Sequence, residues 1–153
     1  MSIPPIDSKR RVLLITALFV GACGWGISVI FLIGSWDKCM EQFRWMGVEG
    51  LQHEPILEYW LRMAAAAFTW IGALFGAAAF RPAKFAAVIP WLGWFSLVVG
   101  LVLLWSGWSV GMTRAKYPAF VPDIVFCLSV GAAIVGACWG ERGNAGSQGG
   151  SPW

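Results

Sequence analysis

The segment Pro55–Phe80, PILEYWLRMAAAAFTWIGALFGAAAF, decides the fold. Its two charges, Glu58 and Arg62, fall in its first turns, and from Met63 to Phe80 there is none. The run is continuously apolar and does not alternate, so it reads as a helix and not as a barrel strand. A helix needs roughly 20 apolar residues to cross ~30 Å of hydrocarbon, and this one is long enough.

Three further uncharged runs flank it: Val12–Trp36, Phe85–Thr113 and Ile124–Gly140. The pattern predicts an all-α membrane protein, a bundle of four transmembrane helices over about 12–34, 55–80, 85–112 and 122–140. Residues 1–140 then form one domain. The tail at 141–153, ERGNAGSQGGSPW, is rich in Gly and Ser and is expected to be flexible.

Composition agrees with this reading. The chain has 153 residues, of which 58% are apolar and only 12% charged. A soluble domain carries roughly 25% charged residues, so this chain has too little polar surface to face water all round. The net charge of +3 comes from scattered basic residues, which argues against a nucleic-acid partner. A single histidine, His53, excludes a bis-His haem or a His-rich metal site within the chain. Cys23, Cys39, Cys127 and Cys138 form no C-x-x-C redox pair. No nucleophile–base pair can be named, so no catalytic residue, metal or cofactor is predicted and the balance is against an enzyme.

Lys9, Arg10 and Arg11 precede the first run and Asp37 follows it, while Arg81, Lys84 and Arg142 share the side of the first three. Lys38, Arg44, Arg114 and Lys116, with Arg62 near the edge, lie on the other side, so the excess is six to five at most, and the flanks of the first run decide. The positive-inside rule then predicts both termini in the cytoplasm, and the expected location is a bacterial inner membrane. Val20-Gly21-Ala22-Cys23 fits a loose lipobox, but the apolar run continues to Trp36, as a first span does and a cleaved signal does not. VGACGWG (Val20–Gly26) and VGACWG (Val135–Gly140) echo each other at different depths, which reads as coincidence.

The loop from Trp36 to Glu54 contains an amphipathic pattern. Trp36, Cys39, Met40, Phe43 and Met46 take one face, and Asp37, Lys38, Glu41 and Arg44 the other. This predicts a short amphipathic interfacial helix between helices 1 and 2, with a lid over the bundle or a docking surface as alternatives.

Small residues mark the packing seams. Ala65, Thr69, Gly72, Gly76 and Ala79 form a stripe on helix 2, and Gly93, Gly100 and Gly107 recur at heptad spacing on helix 3, with Gly111 a turn further. Such stripes let helices approach closely in lipid, and a period of seven favours left-handed crossings. Spacing alone leaves open whether the partner helix belongs to this chain or to another subunit.

Glu58 and Arg62, four residues apart, share the face of the helix 2 stripe. They read as an anchoring pair facing protein; the alternatives are an anion-binding Arg62 or a proton-carrying Glu58. Asp123, beside Pro122, reads as an N-terminal helix charge or a third member of that cluster. His53 reads as a loop histidine, with proton exchange to Glu54 or Glu58 as the sharper alternative. Trp25 and Trp70 should lie near mid-membrane, where an indole N–H needs a partner. They serve packing or, with Trp94, line a ligand pocket whose outer mouth is Glu58 and Arg62.

Glu58-Tyr59-Trp60-Leu61-Arg62-Met63, leading into a small-residue helix within a four-span plan, resembles small bacterial membrane proteins of the DoxX-like type. The resemblance implies the four-helix plan and supplies no catalytic motif. The expected role is non-catalytic: an accessory or scaffold subunit whose partners are the lipid bilayer and other membrane protein subunits or a second copy. The alternatives are a binder or carrier of a lipid, quinone or pigment-like molecule, and a small ion-coupled transporter using Glu58 and Arg62.

Overall fold

A computed structural model describes residues 8–48, 50–112 and 120–147, with side chains described as far as residue 139. Among these residues the chain is helical, without strands: α1 (Ser8–Gly26), α2 (Val29–Ile33), α3 (Trp36–Trp45), α4 (Pro55–Phe80), α5 (Ile89–Ser109) and α6 (Phe120–Ser147). Four stretches are long and apolar enough to cross a membrane: Ser8–Ile33, Pro55–Phe80, Ile89–Ser109 and Phe120–Trp139.

The first span is broken. Ser28 N–H donates to the Trp25 carbonyl at 3.3 Å and Ile30 N–H to Ile27 at 3.1 Å, so the turn between α1 and α2 tightens to three-residue steps. Gly24, Gly26 and Ser28 supply the weak point. The second span lies at Pro55–Phe80 as expected, with Pro55 in the first turn, where no N–H is required.

Three expected boundaries move. α5 begins at Ile89 instead of 85, because Pro90 fits only the first turn of a helix, and residues before it form turns. It ends at Ser109 because Gly111 adopts φ +67° and Met112 N–H returns to the Gly107 carbonyl at 2.9 Å, a Schellman-type close. Gly111 is therefore a cap and not a seam residue; nothing lies within 4 Å of the position a Cβ would take. α6 continues to Ser147, so the helix carries on through the first residues of the expected tail, and residues 148–153 lie outside the described set.

The helices pair as α1 with α4 and α5 with α6, and α1 also packs on α6. α2 packs on α4. The core where these meet holds Leu14, Leu18, Trp25, Phe75, Leu92 and Ile134. Much of the remaining surface is apolar: Val12, Phe80, Trp91, Val98 and Leu101 all face outward.

Glycines set the distances between helices. A Cβ on Gly72 would lie 2.7 Å from the Gly26 Cα, so α4 crosses α1 with backbones in contact. On α5, a Cβ at Gly93 would meet Ile134 at 2.9 Å, and one at Gly100 would meet Leu128 at 2.8 Å. The Phe120 ring occupies the space beside Gly107. These seams are internal to the chain. Gly76 is looser, 3.8 Å from Ala22. Ala65 is buried, and Thr69 returns its hydroxyl to the Ala65 carbonyl at 2.7 Å. Gly131, not part of the expected stripes, completes the α5–α6 contact, where a Cβ would lie 2.8 Å from the Gly93 carbonyl oxygen.

Candidate functional site

The most connected polar group among the described residues is built on the first turns of α4. Glu58 and Arg62, one turn apart, face the end of α2. Arg62 Nε and Nη2 donate to Glu58 Oε1 at 3.0 and 2.6 Å. Nη1 reaches the Leu32 carbonyl at 2.7 Å, and Nη2 also reaches the Gly34 carbonyl at 3.3 Å. The last carbonyls of a helix have no intrahelical donor and carry the negative end of the helix dipole. The guanidinium therefore caps the first span while Glu58 balances its charge. A planar fork of donors suits this task, because it serves carboxylate and carbonyls together.

Glu58 Oε2 is held in turn by His53 Nε2 at 2.8 Å. The His53 ring stacks at 4.7 Å on Trp36, the first residue of α3. The cluster thus joins the first span, α3, the loop before α4, and α4 itself.

α3 forms over Trp36–Trp45, as the amphipathic pattern requires. Asp37 lies in its first turn and Arg44 in its last, both favourable to the helix dipole. Gly47, at φ +90°, closes it, with Val48 N–H donating to the Phe43 carbonyl at 2.9 Å. Its apolar face turns towards the bundle: Cys39 is buried and Phe43 packs on Phe31 at 5.5 Å. Burial pushes the Cys39 thiol above its ordinary value, partly offset by the nearby Arg62 charge.

The three tryptophans proposed as one pocket wall are not brought together. Trp25 is buried, and its ring meets Phe68, Phe95 and Phe126 at 5.3, 5.6 and 6.1 Å. One aromatic from each span therefore meets at this point. The indole N–H of Trp25 has no partner there, and neither does the hydroxyl of Ser96 on α5. Trp70 projects away from the bundle and is 79% exposed. Trp94 packs edge-on against Trp139 at 5.9 Å. Asp123 lies in the first turn of α6 and has no ion pair with His53 or Arg62.

Hollows lie beside these groups, among them one of about 240 Å³ on the outer side of α3 lined by Asp37, Met40, Arg44 and Leu51. An apolar groove of about 470 Å³ opens on the side of the bundle between α1 and α6, lined by Phe19, Val20, Cys23, Gly24, Ile27 and Phe126. A smaller cavity of about 230 Å³ lies under α3 and includes Asp123. No group of three or more His, Cys, Asp or Glu side chains able to hold a metal occurs among the described residues.

Sequence reasoning paired Glu58 with Arg62 but missed what Arg62 reaches, since carbonyl acceptors carry no residue signature. It also missed Phe68, Phe95 and Phe126 around Trp25. Their signal was their helical phase, which puts each beside its helix's buried stripe, although Phe68 and Phe95 remain partly open at the bundle edge.

Fold and site together define a chain that is helical over its described residues, with four stretches long and apolar enough to cross a membrane, the first locked to the second by an arginine cap. No family model, curated protein or solved structure matches the chain.

Proposed function

We propose that the chain is a non-catalytic subunit of a membrane assembly, an accessory or scaffold protein of a bacterial inner membrane with both termini in the cytoplasm. Trp70 carries this reading. It sits near the middle of a 26-residue span and is 79% exposed on the outer face of the bundle. Indoles are favoured at the membrane interfaces, where the N–H finds water or headgroups, and not against mid-membrane hydrocarbon. A second polypeptide packed on this face would cover the ring and offer an acceptor. The DoxX-like resemblance fits the same plan, since it supplies a four-helix scaffold and no catalytic motif.

The test is photocrosslinking from p-benzoylphenylalanine at position 70 in the native membrane, followed by extraction in mild detergent. A discrete adduct with another membrane protein, or with a second copy, is expected. A lone monodisperse monomer without adduct overturns the reading.

The side groove favours a second reading, a carrier of a lipid or other apolar molecule. Its wholly apolar lining of about 470 Å³ suits a hydrocarbon tail. Native mass spectrometry would show retained lipid, and its loss on filling the groove with a bulky side chain at exposed Cys23, as in Cys23→Phe. The Glu58–Arg62 pair supports the anchoring role over transport, because the guanidinium is already committed to Glu58 and two carbonyls.

A further inference from the structure

α5 packs on α6 with its glycine side, and its opposite face is regular. Trp91, Trp94, Val98, Leu101, Trp105 and Trp108 recur at alternating steps of three and four residues, the a and d positions of a heptad sustained over about 25 Å of helix. All six are exposed, Trp94 least because it also meets Trp139. The buried residues of α5 (Ile89, Leu92, Gly93, Ser96, Gly100 and Gly107) fall on the b, c and f positions, which face away from such a seam.

Interfacial preference accounts for indoles at the two ends of a spanning helix. It does not account for all four sharing one stripe. A lipid-facing surface has no period of its own, whereas a strict 3.5-residue period keeps a seam turned towards a second helix. The centre of the stripe states the number of strands: Val98 at a and Leu101 at d is the combination that favours two parallel helices. Helices crossing at about +20° are closest at the crossing point and separate towards both ends. Valine and leucine in the middle with indoles at either end fill the gap that such a crossing leaves.

A second copy meets these requirements without further conditions. Copies inserted in the same sense are related by a twofold axis along the membrane normal, which sets each stripe residue opposite its own counterpart at equal depth. The stripe carries no charge, so self-pairing meets no repulsion. Its area is also sufficient. Trp91, Trp105 and Trp108 are 74%, 72% and 85% exposed. Aromatic side chains present ~150–250 Å² each, so with Val98 and Leu101 the stripe offers about 500 Å² per copy and about 1,000 Å² for a pair, the size at which specific interfaces begin.

We propose that α5 pairs with α5 of a second copy of this chain, in a parallel left-handed crossing centred on Val98 and Leu101. This face differs from that of Trp70, so linkage on α5 and an adduct at position 70 are separate results.

The test is disulfide linking in the native membrane, using the full chain with Cys23→Ala and Cys138→Ala. Val98→Cys and Leu101→Cys should join two copies at least about fivefold more than Leu74→Cys, which places an exposed thiol on α4. Val98→Trp overfills the crossing point without entering the chain's own core. It should reduce linking at Leu101→Cys at least about fivefold while helix content by circular dichroism is unchanged. Linking at neither position, equal linking at Leu74→Cys, or linking that Val98→Trp leaves intact would overturn the proposal.

Discussion

Arg62 Nη1 donates to the carbonyl of Leu32 across 2.7 Å and thirty residues of chain. That bond turns a pair of neighbouring charges on α4 into a clasp on the end of the first span. It also explains how α2, only five residues long and without a buried side chain, keeps its place: α4 and the guanidinium hold it. An isolated helix of that length has no stability of its own.

Arg62→Ala should release this end of the molecule. Glu58 would lose its charge partner and the Leu32 and Gly34 carbonyls would lose their donor. Hydrogen bonds to charged groups contribute roughly 1.5–3 kcal/mol when buried, and this site is partly exposed, so a loss of about 1–2 kcal/mol is expected. Arg62→Lys keeps the charge but not the fork, so it should recover part of the loss. Thermal unfolding in detergent would measure the series, and an Arg62→Ala protein that melts with the wild type would remove the clasp from the account.

Gly72→Ala should destabilise the bundle because its Cβ would lie 2.5 Å from the backbone nitrogen of Gly26. Neither helix can yield there by rotating a side chain, so α1 and α4 must separate. Overpacking of this kind costs about 1–3 kcal/mol. Gly136→Ala provides the contrast, since nothing lies within 4 Å of its Cβ position. It should be neutral or slightly stabilising, because alanine is the better helix former. Equal melting shifts for both variants would show that the close crossing is not what holds α1 on α4.

The four spans were legible because a run without charge is a one-dimensional signal that survives any three-dimensional arrangement. The heptad of Gly93, Gly100 and Gly107 was legible for the same reason. Gly111 continued the spacing, but it lies past the last helical residue, and its positive φ belongs to a cap. Periodicity does not tell where a helix stops. The acceptors of Arg62 were hidden because backbone carbonyls are the same in every residue. The direction of Trp70 was within reach: two residues before Gly72, it lies about 200° around the helix from the seam. Depth alone had grouped it with Trp25, and helical phase separates them.

Trp25 and Trp70 should therefore respond oppositely to truncation. Trp25→Ala removes the ring on which Phe68, Phe95 and Phe126 converge, and a large buried aromatic lost to alanine costs about 3–5 kcal/mol. Trp70→Ala removes an exposed ring and should leave the melting of the detergent-purified chain within about 0.5 kcal/mol of wild type. Its effect should appear only in the native membrane, as loss of whatever polypeptide covers that face. A Trp70→Ala chain that unfolds readily by itself would mean that the ring serves the bundle and not a partner.

Cys39 offers a check on α3 that does not involve the spans. Its side chain is 2% exposed, and burial raises the thiol above its ordinary value. Only the thiolate reacts with a maleimide, so a raised value leaves less reactive species at neutral pH, and burial blocks the reagent as well. Water-soluble maleimide should label Cys39 at least about tenfold more slowly than a cysteine placed at exposed Gln52, and Cys39 labelling should still be climbing at pH values where the Gln52→Cys thiol has levelled off. Phe43→Ala removes the ring that packs on Phe31 and should loosen α3, so Cys39 labelling should accelerate while the four spans stay folded. Fast labelling of Cys39 in the unmodified chain would place α3 away from the bundle. It would also dissolve the roof of the cavity beside Asp123, because Phe43 and Met46 belong to the same helix end.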